Sequence, residues 1–182
     1  MTVSGETLQE IKIDYDAIVI GAGIAGLYQL YKLREIGLNV RVFEAGTGVG
    51  GTWYWNRYPG ARFDSESYSY AYSFSQELLD EWNWSEHFAS QPEILRYLQH
   101  MANKFDLIKD IEFSSDVKAA VYDEPSRTWE ITLENGSKHR SRYLIAGIGL
   151  LSQPTMPKIE GVESFQGPSF HTSRWPHEPV DF

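Results

Sequence analysis

The stretch Tyr15-Asp-Ala-Ile-Val-Ile-Gly-Ala-Gly-Ile-Ala-Gly26 decides the fold of this 182-residue chain. Its first six residues are mostly apolar and lead directly into a glycine, as a buried parallel strand does. Residues 24–36 then show the apolar spacing of a helix that ends near Gly37, and residues 39–43 return as a second short strand. This order predicts a parallel β-α-β unit with a right-handed crossover.

The turn between the first strand and the helix carries the spacing G-x-G-x-x-G at Gly21, Gly23 and Gly26. The first glycine permits a tight turn, the second lets backbone approach a diphosphate, and the third lets the helix pack on the strand. Glu44 ends the second strand, where it is placed to accept hydrogen bonds from an adenosine ribose and to repel a 2′-phosphate. We therefore predict a site for FAD or NAD, and the alternative is a glycine-rich turn that binds nothing.

A second glycine cluster, Gly48-Val-Gly-Gly-Thr-Trp53, follows Glu44 closely. Glycines allow backbone to approach a ligand closely. A site for NAD alone has no need of this cluster, whereas the longer FAD does, so the pair of clusters favours FAD. The alternative is a mobile surface loop, which would leave the Trp53-Tyr-Trp55 run as exposed apolar surface.

Two further motifs follow. Asn56-Arg-Tyr-Pro-Gly-Ala-Arg-Phe-Asp64 offers two arginines, which can bind phosphate or carboxylate through two hydrogen bonds, and one carboxylate. Composition alone favours the plainer interpretation that Asp64 caps a turn. The second motif, residues 165–176, places His171 in a segment rich in proline and glycine, where nothing local marks it as a base. The five histidines show no ligand spacing, so we expect no metal site.

Composition limits the classes of function. The net charge is −9 without a basic block, which argues against binding to nucleic acid or to an anionic membrane surface. No apolar run is long enough to span a bilayer, and the first ten residues do not form a secretory signal. The absence of cysteine excludes disulfides and thiolate chemistry and fits the reducing cytoplasm. Aromatic residues are concentrated between Trp53 and Trp84, beyond what core filling explains.

We predict three regions: a flexible arm over residues 1–14, a nucleotide-binding domain over 15–150 and a linker over 151–182. Within the domain, Ser90-Gln-Pro-Glu93 predicts the start of a helix capped by Ser90 or Gln91. Strands are expected near 111–114, 117–122, 128–133 and 138–145, with a hairpin turn at Asn135-Gly136. Residues 142–147 are expected to form a buried strand that rejoins the first sheet.

The four motifs together resemble the N-terminal part of the Baeyer–Villiger monooxygenases, flavoenzymes that turn ketones into esters or lactones. The resemblance runs from about Tyr15 to Trp175 and is very close over residues 50–62. The family's F-x-G-x-x-x-H-x-x-x-W-P fingerprint is matched by Phe165, Gly167, His171, Trp175 and Pro176. The fold class implied is α/β, a Rossmann-like FAD-binding domain with a parallel sheet, crossover helices and a small antiparallel β-meander.

The resemblance also implies a role for each matching position. The ADP part of FAD would be held by Gly21, Gly23, Ala25, Gly26 and Glu44, and the adenine region would be touched by the backbone of Val117. The flavin side would be lined by Thr52, Trp53, Asp64 and Tyr70, and the cofactor set is completed by Gly51, Tyr54, Trp55 and Arg57. The nicotinamide of NADPH would face Arg62, Phe63 and Asp64.

Asp64 is the catalytic candidate, since it would orient a catalytic arginine, while His171 and Trp175 would couple cofactor movement to oxygenation. The implied reaction starts when NADPH reduces FAD and O₂ forms a flavin C4a-peroxide. That peroxide attacks the carbonyl of a small-molecule ketone, and one carbon migrates to oxygen. The flavin does this chemistry and the protein supplies placement and electrostatics.

Three departures from the family pattern matter. Gly147-Ile-Gly149 stands where the family usually has Ala-Thr-Gly, and Phe63 replaces a smaller residue. The chain stops at Phe182, where the family would begin a second G-x-G-x-x-G unit for NADPH and bring the catalytic arginine. We therefore expect a fragment truncated before the NADP domain, inactive without its C-terminal half. The alternatives are a stand-alone FAD-binding module without turnover and an NAD-dependent dehydrogenase domain.

Overall fold

The computed structural model describes residues 12–181. Of the predicted arm over residues 1–14, only residues 12–14 lie within this range. The end of that stretch is bonded to the sheet, because the backbone N–H of Asp14 donates to the carbonyl of Arg140 at 3.0 Å. The backbone N–H of Arg140 in turn donates to Oδ2 of Asp14 at 2.9 Å. Asp14 thus fixes the chain where the first strand begins.

One six-stranded sheet forms the centre of the molecule. Its strands are β1 (Tyr15–Ile20), β2 (Val40–Phe43), β3 (Ile111–Glu112), β4 (Val117–Asp123), β5 (Thr128–Leu133) and β6 (Lys138–Ala146). Their order in space is β3-β2-β1-β6-β5-β4. The β3, β2, β1 and β6 strands are parallel, whereas β6, β5 and β4 form an antiparallel meander. The predicted combination of a parallel sheet with a small meander is confirmed, and β6 belongs to both parts.

Five α-helices accompany the sheet within the described residues. They are α1 (Ile24–Glu35), α2 (Thr52–Trp55), α3 (Ser67–Tyr70), α4 (Gln76–Glu81) and α5 (Gln91–Lys104), and short 3₁₀ helices span Ile108–Asp110, Val162–Ser164 and Thr172–Arg174. The predicted crossover helix between β1 and β2 is confirmed as α1, with Leu27 and Leu30 fully buried. The sequence interpretation missed α4, which Ser75 caps by accepting a hydrogen bond from the N–H of Leu78 at 3.2 Å.

The start of α5 is confirmed, but its predicted side-chain cap is wrong. Ser90 occupies the N-cap position, yet its side chain makes no capping hydrogen bond. Gln91 also fails to cap the helix, because its amide donates instead to the carbonyl of Trp53. Glu93 is buried and accepts hydrogen bonds from the N–H and hydroxyl of Ser85, at 2.9 and 2.6 Å. The first turn of α5 is thereby tied to neighbouring loops.

The sheet separates two apolar clusters. The larger contains Ala17 and Val19 of β1 together with the apolar faces of α1 and α5. The smaller contains Ile18, on the opposite face of β1, and residues of the meander. The expectation that residues 142–147 are buried is wrong, since Tyr143 is 58% exposed. Among described residues, α1 packs chiefly over β1 and β2 and leaves much of β6 uncovered.

Candidate functional site

A cavity of about 480 Å³ lies at the carboxyl ends of β1, β2 and β6. Ligands of open α/β sheets bind at such strand ends. Its walls come from the turn after β1, the end of β2, the α2 segment, the chain before β4 and the chain after β6. The lining residues are Ile20, Gly21, Gly23, Ile24, Ala25, Phe43, Glu44, Ala45, Gly50, Gly51, Thr52, Trp53, Trp55, Asn56, Tyr70, Ser115, Asp116, Val117, Ala146, Gly147, Ile148, Gly149, Leu151, Ser152, Gln153 and Arg174.

The two glycine clusters lie back to back in this cavity. A Cβ at Gly51 would stand 2.7 Å from Cα of Gly23, and a Cβ at Gly23 would stand 3.3 Å from Cα of Gly51. Gly51 has a φ of +51°, which disfavours any other residue. The backbone N–H of Gly50 donates to the carbonyl of Ala22 at 3.0 Å and joins the two turns. Side chains at these positions would push the two turns apart.

The remaining fingerprint glycines hold α1 and β6 close to β1. A Cβ at Gly26 would stand only 1.8 Å from the carbonyl oxygen of Gly21. Gly21 has a φ of +95°, and a Cβ there would stand 2.7 Å from the carbonyl oxygen of Gly147. A Cβ at Gly147 would stand 2.9 Å from the carbonyl oxygen of Ile20. The glycine at 147, which departs from the family pattern, avoids this close contact with the end of β1.

Glu44 lines the cavity and is only 4% exposed. Its Oε2 accepts a hydrogen bond from the N–H of Ala22 at 2.6 Å, and its Oε1 accepts one from the N–H of Gly46 at 2.7 Å. The carboxylate therefore ties the glycine turn after β1 to the loop after β2. Because each carboxylate oxygen has two lone pairs, both oxygens retain an acceptor site for a ribose hydroxyl.

Trp53 and Tyr70 form an aromatic wall of the cavity. The indole Nε1 of Trp53 donates to the hydroxyl of Tyr70 at 2.8 Å, and the two rings meet edge to face at 6.0 Å. Burial raises the pKa of the Tyr70 hydroxyl above its ordinary value. Phe63 stacks on Tyr70 at 4.6 Å and is only 5% exposed. It packs behind the wall and does not line the cavity.

Several predicted residues lie outside the cavity wall. Tyr54 packs beneath the loop after β2, where its hydroxyl accepts a hydrogen bond from the N–H of Thr47 at 3.1 Å. Arg57 lies over the Tyr54 ring at 5.0 Å and donates to the Tyr54 carbonyl. Arg62 pairs with Glu86 at 2.9 Å, and Asp64 is exposed. Val117, by contrast, lies in the wall beside Ser115 and Asp116.

The fingerprint segment packs near α2. His171 caps the last 3₁₀ helix, since its Nδ1 accepts a hydrogen bond from the N–H of Ser173 at 3.2 Å. The ring of Phe170 lies 5.3 Å from that of Trp175. The five fingerprint positions do not line the cavity: Phe165, Gly167, His171, Trp175 and Pro176. Arg174, which lies between His171 and Trp175 in the sequence, does line it.

Sequence reasoning missed several lining residues. Ser115 and Asp116 precede β4, Leu151 to Gln153 follow β6, and Arg174 belongs to the fingerprint segment. The available signal was topological, because loops at the carboxyl ends of parallel strands meet at one edge of the sheet. Within residues 12–181, no group of three or more His, Cys, Asp and Glu side chains is arranged to hold a metal ion. In the same range, no helix has the length and apolar character needed to cross a membrane.

The chain is similar to known proteins over most of its length. A family model described as an NAD(P)-binding Rossmann-like domain matches residues 19–82. The chain is 52% identical over 161 residues to 2-oxo-Δ3-4,5,5-trimethylcyclopentenylacetyl-CoA monooxygenase of Pseudomonas putida, covering 88% of this chain and 30% of that protein. It is 44% identical over 182 residues to a Baeyer–Villiger monooxygenase of Pseudooceanicola batsensis, covering 100% of this chain and 33% of the relative.

A solved structure gives the same result. A crystal structure of OTEMO in complex with FAD and NADP superimposes with a TM-score of 0.86 at 50% identity, covering 91% of this chain and 31% of that one. Homologues of the chain are thus Baeyer–Villiger monooxygenases, and the resemblance inferred from the motifs is confirmed. The chain spans about a third of the length of the relatives it matches.

Proposed function

We propose that this chain is the FAD-binding part of an NADPH- and O₂-dependent flavin monooxygenase that oxidises ketones to esters or lactones. The observation that carries the proposal is the back-to-back contact of Gly23 with Gly51 at the strand-end cavity. The first glycine cluster suits a diphosphate at the N-terminus of α1. The second extends the same wall toward Trp53 and Tyr70, as a cofactor longer than one nucleotide requires.

The residues present fit FAD. The cavity is lined by bare backbone at Gly21, Gly23 and Gly51, where no side chain stands between the chain and a ligand, and Glu44 provides an acceptor for ribose hydroxyls. The ADP half would be held by Gly21, Gly23, Ala25, Gly26 and Glu44. Gly26 would act by letting α1 pack closely, and Glu44 by accepting hydrogen bonds from the ribose.

The flavin end would lie along the α2 side of the cavity. Gly51, Thr52, Trp53, Trp55 and Tyr70 line this wall. Tyr54 and Arg57 would support it from outside the cavity, because they hold the loop after β2 and the start of the following segment. When bound, FAD supplies the redox chemistry that accepts a hydride from NADPH and activates O₂. The chain's own residues bind and orient the cofactor and keep the flavin end among aromatic rings.

The reaction site would be completed by the portion of the relatives that this chain does not span. Asp64 is exposed, as a residue that orients an arginine from another domain would be. Arg62 is also exposed, so both side chains face a surface where a second domain and NADPH could approach. Phe63 would act by packing behind Tyr70. We include in the proposal a domain over 15–150, a linker over 151–182 that carries the fingerprint, and a cytoplasmic location.

The decisive experiment is to denature the purified chain with heat and record the absorption spectrum of the supernatant. We expect a flavin spectrum at one FAD per chain, without ketone-dependent NADPH oxidation by the chain alone. Absence of flavin, even after FAD is added during purification, would overturn the proposal. A flavin spectrum would also separate this function from an NAD-dependent dehydrogenase domain. Oxidation of a ketone by these residues alone would refute the requirement for a second part.

Two variants test the placement of the cofactor. Glu44→Arg should weaken FAD binding, because it removes the ribose acceptor, whereas Glu163→Arg makes the same charge change on the exposed last segment. Gly23→Val should weaken binding further, since its side chain enters the space beside Gly51. Titration of the apoprotein with FAD, followed by flavin fluorescence, measures both effects. Equal affinities for Glu44→Arg and Glu163→Arg would show that the adenosine is placed wrongly.

A further inference from the structure

We propose that Arg174 supplies the positive charge that holds the diphosphate of a dinucleotide in the cavity. This inference rests on the proposed function, because it assumes that a dinucleotide binds there. Arg174 belongs to the segment predicted as a linker, so the inference gives that segment a direct part in binding. No sequence motif pointed to this residue.

The guanidinium of Arg174 is held at the cavity by contacts on three sides. Nη1 donates to the carbonyl of Ser173 at 2.8 Å, and Nη2 donates to the carbonyl of Ser152 at 3.2 Å. The guanidinium carbon lies 4.9 Å from the ring centre of Trp55, within the range of a cation–π contact. Ser152 and Trp55 both line the cavity, so the guanidinium bridges the chain after β6 and the helix after the second glycine cluster.

The lining residues of the cavity carry little positive charge for an anionic ligand. Glu44 and Asp116 are its two acidic residues, and Arg174 is the only lysine or arginine among its lining residues in the described part of the chain. The whole chain carries a net charge of −9. A diphosphate in this wall would meet two carboxylates and an unfavourable overall field, which backbone N–H groups offset only in part. Arg174 supplies the opposite charge where none other lines the site.

The hydrogen bonds of Arg174 leave donors for such a ligand. A guanidinium has five N–H groups in a planar fork, and the two carbonyl contacts use two of them. The remaining donors can form charge-assisted hydrogen bonds to phosphate oxygens. The carbonyls and the Trp55 ring fix the plane of the guanidinium in advance, which reduces the conformational entropy lost on binding. The guanidinium of Arg174 is therefore oriented for a phosphate-bearing ligand before the ligand binds.

The test compares Arg174→Gln with Arg96→Gln, which removes an equal charge from an exposed position on α5 outside the cavity wall. Isothermal titration calorimetry would measure the affinity of each variant for ADP, which has the diphosphate, and for adenosine, which lacks it. We expect Arg174→Gln to lose about tenfold in ADP affinity and to keep its adenosine affinity. The loss should shrink at high salt, because screening weakens the contact in the unmodified chain. Arg96→Gln should bind both ligands as the unmodified chain does.

Two further titrations, with FAD and with NADP⁺, identify which dinucleotide uses the arginine. A loss confined to FAD assigns Arg174 to the resident cofactor, and a loss confined to NADP⁺ assigns it to the reducing cofactor; either supports the inference. Unchanged ADP, FAD and NADP⁺ affinities in Arg174→Gln would overturn it while leaving FAD binding by the unmodified chain intact. An equal loss for adenosine and ADP would also overturn it, since the effect would then come from a distorted cavity. If the unmodified chain binds none of these ligands, the proposed function fails as well.

Discussion

Replacement of Gly51 by alanine tests the contact between the two glycine clusters. The new Cβ would stand 2.7 Å from Cα of Gly23, whereas ordinary contacts begin at 3.4 Å. Gly51 combines a φ of +51° with a ψ of −117°, a strained region for alanine that costs about 1–3 kcal/mol, and overpacking against backbone that cannot rotate away adds about 1–3 kcal/mol. We therefore expect Gly51→Ala to lower the free energy of unfolding by about 2–6 kcal/mol.

Gly60→Ala is a control in which a glycine of positive φ has no close neighbour. Gly60 has a φ of +81°, but a Cβ there would meet nothing within 4 Å. It should show only the conformational cost, about 1–2 kcal/mol. Urea unfolding followed by circular dichroism measures both variants, and each kcal/mol corresponds to about 2–4 °C in the melting temperature. Equal destabilisation of the two variants would refute the argument that the clusters are packed back to back.

Three other predictions concern single side chains. Glu44→Gln should lower the free energy of unfolding by about 1–3 kcal/mol, because an amide NH₂ would face a backbone N–H; an unchanged urea midpoint would contradict this. Ser67→Ala should cost about 1–3 kcal/mol, since the buried hydroxyl accepts from the N–H of Ala89 at 3.0 Å and donates to a carbonyl. Ordinary surface substitutions change the free energy of unfolding by up to about 0.5 kcal/mol. A loss for Ser67→Ala well below this value in urea unfolding would refute the prediction. The hydrogen bond from Lys104 lowers the pKa of Glu81. The stabilisation from this pair is therefore present above the unfolded-state pKa of Glu81 and disappears as pH falls through its folded-state pKa. Lys104→Met should raise the pKa of Glu81 in an NMR titration, and an unchanged pKa would exclude Lys104 as the cause.

Local sequence rules predicted the parts of the fold that depend on short-range physics. The strand at Tyr15–Ile20 and helix α1 follow from apolar spacing and glycine position, and the hairpin between β5 and β6 follows from Asn135-Gly136. The turn depends on Gly136, which adopts a φ of +86° that glycine takes without strain, whereas Asn135 does not have a positive φ. These signals lie within a few residues of the structure they specify.

Features that depend on distant packing were not predictable in this way. Phe63 lies in an arginine-rich motif, yet it packs behind Tyr70, because that site is shaped by residues of α3 and of the loop before α5. Gln91 looked like a helix cap, but its amide donates instead to the carbonyl of Trp53, which is distant in sequence. Arg174 reaches the cavity only because the last segment folds back over α2. None of these three contacts could be predicted from the neighbouring residues in the sequence.

The position of β6 in the sheet has a consequence for folding during synthesis. β1 lies in the middle of the sheet, and one of its two neighbours is β6, so Asp14 bonds to Arg140 across 126 residues. A ribosome adds about 5–20 residues per second, which leaves that side of β1 without its partner for about 6–25 s of synthesis. An unpaired strand edge attracts other strands. Chaperone dependence during translation should therefore centre on residues 15–20, and pausing before residue 138 should increase aggregation of the nascent chain.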